Sequence, residues 1–212
     1  MIKLAVFDLD GTLLNTLNSI AHFGNTALEK YGLPTVDISE FPQFIGNGAP
    51  VLIEKLYKFV NGDPEKYDEF FKDALEIYNE LGNKNIFPYE EIDVMLDGLK
   101  QKGIKCAVLS NKPHNITTEV CKNFFDGKFE CVYGHRPEIA KKPDPYMLNK
   151  IISDMGVNNN ECIFCGDSTV DVETGKNANV SVFGAAWGFY GDKPFEKADK
   201  ILYKPTDIFN YI

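Results

Sequence analysis

A chain of 212 residues, 44% apolar and 25% charged, has material for one large core or two modest ones and the composition of an ordinary globular protein. Its net charge of −9 and pI near 4.9, with no basic stripe, argue against nucleic acid or an anionic membrane surface as partner. No span has the length of a transmembrane helix and no apolar leader follows a basic start, while five cysteines cannot all pair; a cytoplasmic protein is expected.

The chain opens on Ile2, Leu4, Ala5 and Val6, an apolar run without helical period that predicts a strand buried on both faces. It leads into Phe7-Asp8-Leu9-Asp10-Gly11-Thr12. On an extended chain Asp8 and Asp10 share one side while Leu9 points back to the core. Two carboxylates at the end of a buried strand require something to offset their charge. Gly11 lets the chain turn, and Thr12 adds a hydroxyl and an N–H. This suits a divalent metal or a phosphoryl group; an Asp-rich turn is the plain alternative.

Helical patterns follow. Residues 19–31 carry Ile20, Phe23, Ala27, Leu28 and Tyr31 at helical spacing before Gly32. A short apolar piece at 41–45 precedes Gly46-Asn47-Gly48, a turn whose glycines also permit close approach to a ligand. Residues 49–60 and the stretch from Pro64 to about 81 predict two more helices. After the polar break Gly82-Asn83-Lys84-Asn85 the pattern alternates. Helices are expected at 89–102, 113–125, 145–155 and 172–177, and strands at 105–109, 129–133, 162–165, 180–183 and 200–202. That alternation predicts an α/β fold, a doubly wound, Rossmann-like parallel sheet flanked by helices. The first strand must join this sheet. Residues 1–15 and 83–212 are therefore expected as a discontinuous core, and 16–82 as an inserted all-helical domain. Cys162 and Cys165 have CxxC spacing but lie in a predicted strand, where residues three apart face opposite sides; they read as core.

Ligands of an open parallel sheet bind beyond the carboxyl ends of its strands. Three further strand or helix ends carry polar groups there. Ser110-Asn111 precedes a helix N-terminus, a natural anion site or an ordinary cap. Lys142-Pro143-Asp144-Pro145 stiffens the backbone around a lysine, or simply starts a helix. Gly166-Asp167-Ser168 with Asp171 adds carboxylates, or a capped turn.

Taken in order, DxDGT, Ser-Asn, Lys-Pro and GDSxxD resemble the four motifs of the haloacid dehalogenase superfamily of phosphotransferases. The helical insertion between the first two motifs is similar to that family's small cap of the C1 type. Phe44-Ile45-Gly46-Asn47-Gly48-Ala49, Ser110-Asn111-Lys112-Pro113, Lys142-Pro143-Asp144-Pro145 and Trp187-Gly188 resemble, more narrowly, phosphoglycolate phosphatases. Gly134-His135-Arg136 departs from the acidic residue often found there, and the role of His135 and Arg136 is not given by the resemblance.

The resemblance implies a Mg²⁺-dependent phosphatase acting on a small phosphorylated metabolite, 2-phosphoglycolate favoured, as a monomer or homodimer. It implies Asp8 as nucleophile forming an aspartyl-phosphate and Asp10 as acid and base, with Lys142 as the third catalytic residue. Asp8, Gly11, Thr12, Ser110, Asn111 and Lys142 would bind phosphate. Mg²⁺ would be held by Asp8, the Asp10 main-chain carbonyl and Asp167, with Ser168 and Asp171 behind them. Gly46, Asn47 and Gly48 of the cap would set specificity. A β-phosphoglucomutase-like phosphosugar mutase, a pyrophosphatase or a nucleotidase of the same superfamily would use the same core residues. A dehalogenase would need no acid at Asp10.

Overall fold

Leu4, Ala5, Val6 and Phe7 form β1 (Leu4–Phe7), and none has any exposed surface, as a strand covered on both faces requires. The computed structural model describes all 212 residues. From β1 the chain passes through β2 (Leu14–Asn15) into α1 (Leu17–Lys30), α2 (Ala49–Phe59) and α3 (Tyr67–Leu81), then through β3 (Phe87–Pro88), which pairs with β2. The remainder alternates: α4 (Ile92–Gln101), β4 (Lys105–Pro113), α5 (His114–Phe125), β5 (Cys131–His135), α6 (Tyr146–Asp154), β6 (Cys162–Gly166), α7 (Thr169–Asn177), β7 (Ser181–Ala185) and β8 (Lys200–Leu202).

Two compact units result: Met1–Asn15 with Pro88–Ile212, and Thr16–Phe87. The first holds a six-stranded sheet of order β5-β4-β1-β6-β7-β8, every neighbouring pair parallel. Met147, Leu148, Ile151 and Ile152 of α6 pack on Leu4, Val6, Ala107, Leu109 and Phe164, which gives the sheet a dry layer. Val172 of α7 meets Val182 and Phe195 in a smaller cluster. This is the α/β, Rossmann-like architecture that the alternating pattern predicts. The second unit contains the three helices and short 3₁₀ turns at Ile38–Phe44 and Pro64–Lys66, held by aromatic contacts such as Phe23–Tyr78 at 5.1 Å and Tyr57–Phe70 at 4.4 Å.

Several elements differ from the expected bounds by a few residues, and three of them for a clear local reason. α4 starts at Ile92 rather than 89, because Glu91 takes a left-handed conformation at φ 64° and turns the chain first. β4 runs on past Leu109 to Pro113 with a register shift, so Ser110, Asn111 and Lys112 stay buried in the strand. α7 begins at Thr169 rather than at 172, because Ser168 caps it. Both CxxC cysteines are free and buried in β6.

Candidate active site

The polar groups collect at the carboxyl ends of β1, β4 and β6, the central strands of the sheet. Asp8 follows β1, and its N–H still donates to the Cys165 carbonyl at 2.9 Å, so it leaves the sheet in register. Gly11 then turns the chain at φ 82°; a side chain there would collide with the Asp167 carboxylate, so only glycine lets these two segments meet. Asp167 itself follows β6 and accepts from the Phe189 N–H at 2.9 Å. The indole of Trp187 donates to the Thr12 carbonyl at 2.9 Å, tying the segment after β7 to the turn after β1.

Lys142 lies between two acids. Its ammonium is 2.8 Å from Asp8 Oδ1 and 2.7 Å from Asp171 Oδ1, with the Phe164 ring 5.5 Å away. Oxygens of Asp8, Asp167 and Asp171 all lie within 4.8 Å of one another. Three carboxylates against one ammonium leave two negative charges uncompensated in a buried site. The consequence shows in their proton affinities. Burial, then the Asp171 charge working against Lys142, holds Asp8 at about 7 instead of 3.8. Burial and the charges of Asp171 and Asp8 raise Asp167 well above the carboxylate range. Burial alone would lower Lys142, but Asp171 and Asp8 outweigh it and keep the ammonium charged. An all-oxygen set with a double negative excess fits a hard divalent cation.

The other expected residues fall around this cluster with different duties. The Asn111 amide is spent on the Lys142 backbone, donating to its carbonyl at 3.1 Å and accepting from its N–H at 2.9 Å. Ser110 Oγ accepts from Lys112 N–H at 3.2 Å and is buried. The Thr12 hydroxyl is buried with no hydrogen-bond partner, so the donor expected for phosphate is not used within the protein. Asp171 is wholly buried: one oxygen takes Lys142, and the other accepts from the Ser168 hydroxyl at 2.6 Å and the Ser168 N–H at 3.1 Å. Asp10 stands outside the acidic trio, its carboxylate bonded by Lys112. Gly46, Asn47 and Gly48 form the turn before α2 in the second unit, with Gly46 at φ 105° and Gly48 at φ 82°.

The haloacid dehalogenase-like hydrolase family matches residues 5–185, a span that holds Asp8, Asp10, Ser110, Asn111, Lys112, Lys142, Asp167 and Asp171 and ends before Trp187 and Phe189. The chain belongs to that family. It is 31% identical over 204 residues to a phosphoglycolate phosphatase of Vibrio vulnificus strain YJ016, covering 93% of this chain and 90% of that one. A phosphoglycolate phosphatase of Aquifex aeolicus strain VF5 is 30% identical over 211 residues, covering 97% and 94%. The crystal structure of a predicted phosphoglycolate phosphatase from Haemophilus somnus 129pt superposes with a TM-score of 0.87 at 27% identity, covering 99% and 97%.

Two parts of this haloacid dehalogenase-like site escape a reading of motifs. Lys112 follows Ser-Asn directly, and a charged residue inside a strand end that is otherwise buried is the signal that could have marked it. The Phe189 N–H leaves no signal at all, because any residue supplies a backbone donor.

Proposed function

We propose that this hydrolase cleaves small phosphomonoesters, 2-phosphoglycolate above all, through an aspartyl-phosphate on Asp8. The observation that carries the reading is the clustering of Asp8, Asp167 and Asp171, with buried Lys142 paired to Asp8 and Asp171. Asp8 Oδ attacks phosphorus, the P–O bond to the leaving alcohol breaks, and Asp10 gives that oxygen a proton. Asp10 then takes a proton from the water that cleaves the acyl phosphate and frees Asp8. Lys142 balances charge on Asp8 and on the transferring group, while Ser110 and Thr12 supply hydroxyl donors. Asp8, the Asp10 carbonyl and Asp167 would hold Mg²⁺, which when bound neutralises phosphoryl oxygens. Phosphoglycolate is favoured because the Vibrio and Aquifex relatives carry that name along nearly their whole length. The resemblance alone reads residues 16–82 as the family's cap and gives the choice among substrates to its Gly46-Asn47-Gly48 turn. Five unpaired cysteines support a cytoplasmic setting.

The test is turnover of 2-phosphoglycolate with Mg²⁺ in isotopically labelled water. Labelled inorganic phosphate is expected, with Asp8→Asn reduced to background while still folded. Substantial turnover by Asp8→Asn, or activity unchanged in excess chelator, would overturn the covalent metal-dependent reading. Isomerisation of β-glucose 1-phosphate with little phosphate release would make the chain a mutase.

A further inference from the structure

Lys112 is a buried charge that the mechanism above leaves unused. Its side chain is 2% exposed, and its ammonium lies 3.2 Å from Asp10 Oδ1 and 3.3 Å from Asp10 Oδ2. Contact with both oxygens of one carboxylate fixes rotation as well as location. The backbone beneath is itself held. Lys112 N–H donates to Ser110 Oγ, and its carbonyl accepts from the Thr117 hydroxyl of α5 at 3.1 Å. Gly134 of β5 passes so near that a Cβ there would come 2.6 Å from the same carbonyl. The absence of a side chain at Gly134 thus has a packing reason. Few strand tips place an ammonium this deep, since burial penalises a charge that lacks a partner.

We propose that Lys112 is a positioning residue, which aims the Asp10 carboxylate at the oxygen it must protonate and at the water it must activate. This rests on the reading of Asp10 as the proton-transfer group. Lys112 bonds both oxygens of Asp10, and its proposed part in the reaction runs through that carboxylate. Misplacing a reacting group by about 1 Å costs on the order of 100-fold.

The experiment is a double-mutant cycle on phenyl phosphate with Mg²⁺, using Lys112→Met, Asp10→Asn and the pair together. Lys112→Met should lower kcat roughly 10- to 100-fold with KM little changed. Lys112→Arg should recover most of the loss. In the Asp10→Asn background Lys112→Met should cost less than about twofold more, because the group it aims is gone. The loss should also shrink on p-nitrophenyl phosphate, whose leaving group needs a proton less. Equal factors in both backgrounds, or a loss blind to the leaving group, would make Lys112 structural and overturn the proposal. Wild-type kcat in Asp10→Asn alone would instead refute the role of Asp10. Should Lys112→Met melt below assay temperature, Lys112→Gln with Lys112→Arg completes the same cycle.

Discussion

A lysine that is almost wholly buried stays charged here because two carboxylates flank it, and a third residue fixes its backbone. Asn111 does the latter, through paired hydrogen bonds to the Lys142 N–H and carbonyl. Removing one partner of a buried hydrogen bond costs about 1–3 kcal/mol. Asn111→Ala should therefore lower unfolding free energy by roughly 1–3 kcal/mol in urea titration, and inorganic phosphate should inhibit the variant more weakly. Unchanged stability with weakened phosphate binding would show instead that the amide serves the ligand directly. The motif residues themselves could be read from their types and order. Their partners could not, since Asn111 next to Ser110 predicts a polar tip but not that its amide reaches across to residue 142. Asp10 illustrates the same gap: counting acids suggests an unbalanced charge, yet Lys112 already offsets it.

At the scale of elements, one helix start supports the site. Ser168 caps α7 by accepting from Asp171 N–H at 3.3 Å, and Asp171 answers with its carboxylate, forming a capping box. The same carboxylate pairs with Lys142, so the helix end and the buried lysine share one group. Ser168→Ala should cost about 1 kcal/mol, the usual worth of a cap. Asp171→Asn removes one partner of a buried pair as well and should cost about 3–5 kcal/mol. Equilibrium denaturation of both variants checks the order; equal losses would mean that the Lys142 contact adds nothing to stability. Helices and strands longer than a few residues could be read from periodicity, because burial of one face leaves a pattern. The two-residue strands β2 and β3 could not, since two residues carry no period. The cap at Ser168 was readable in kind, while the extension of α7 back to Thr169 depended on it.

At the scale of the whole molecule, the excess negative charge links stability to pH and to metal. Asp8 binds its proton with a pKa of about 7 in the folded protein against an ordinary 3.8, and Asp167 is raised too. A raised acid means that the folded state holds protons which the unfolded chain has released. The stability these groups contribute is therefore present below about pH 4 and lost as pH rises toward 7. In excess chelator the melting temperature should accordingly fall across that window. Carboxylates such as the half-buried Glu161, held at about 2 mainly by the Lys3 side chain, slope the opposite way, so the informative quantity is a difference between variants. Asp8→Asn keeps position 8 neutral at every pH and should flatten the fall, overtaking the wild type near neutrality. A divalent cation requires ionised carboxylates, so stabilisation by Mg²⁺ should grow from pH 5 to pH 7 in the wild type and shrink in Asp8→Asn. Calorimetric scans of both proteins with chelator and with Mg²⁺ measure all four curves. Parallel pH profiles for the two proteins, or Mg²⁺ stabilisation independent of pH, would show that the Asp8 and Asp167 carboxylates do not hold the cation.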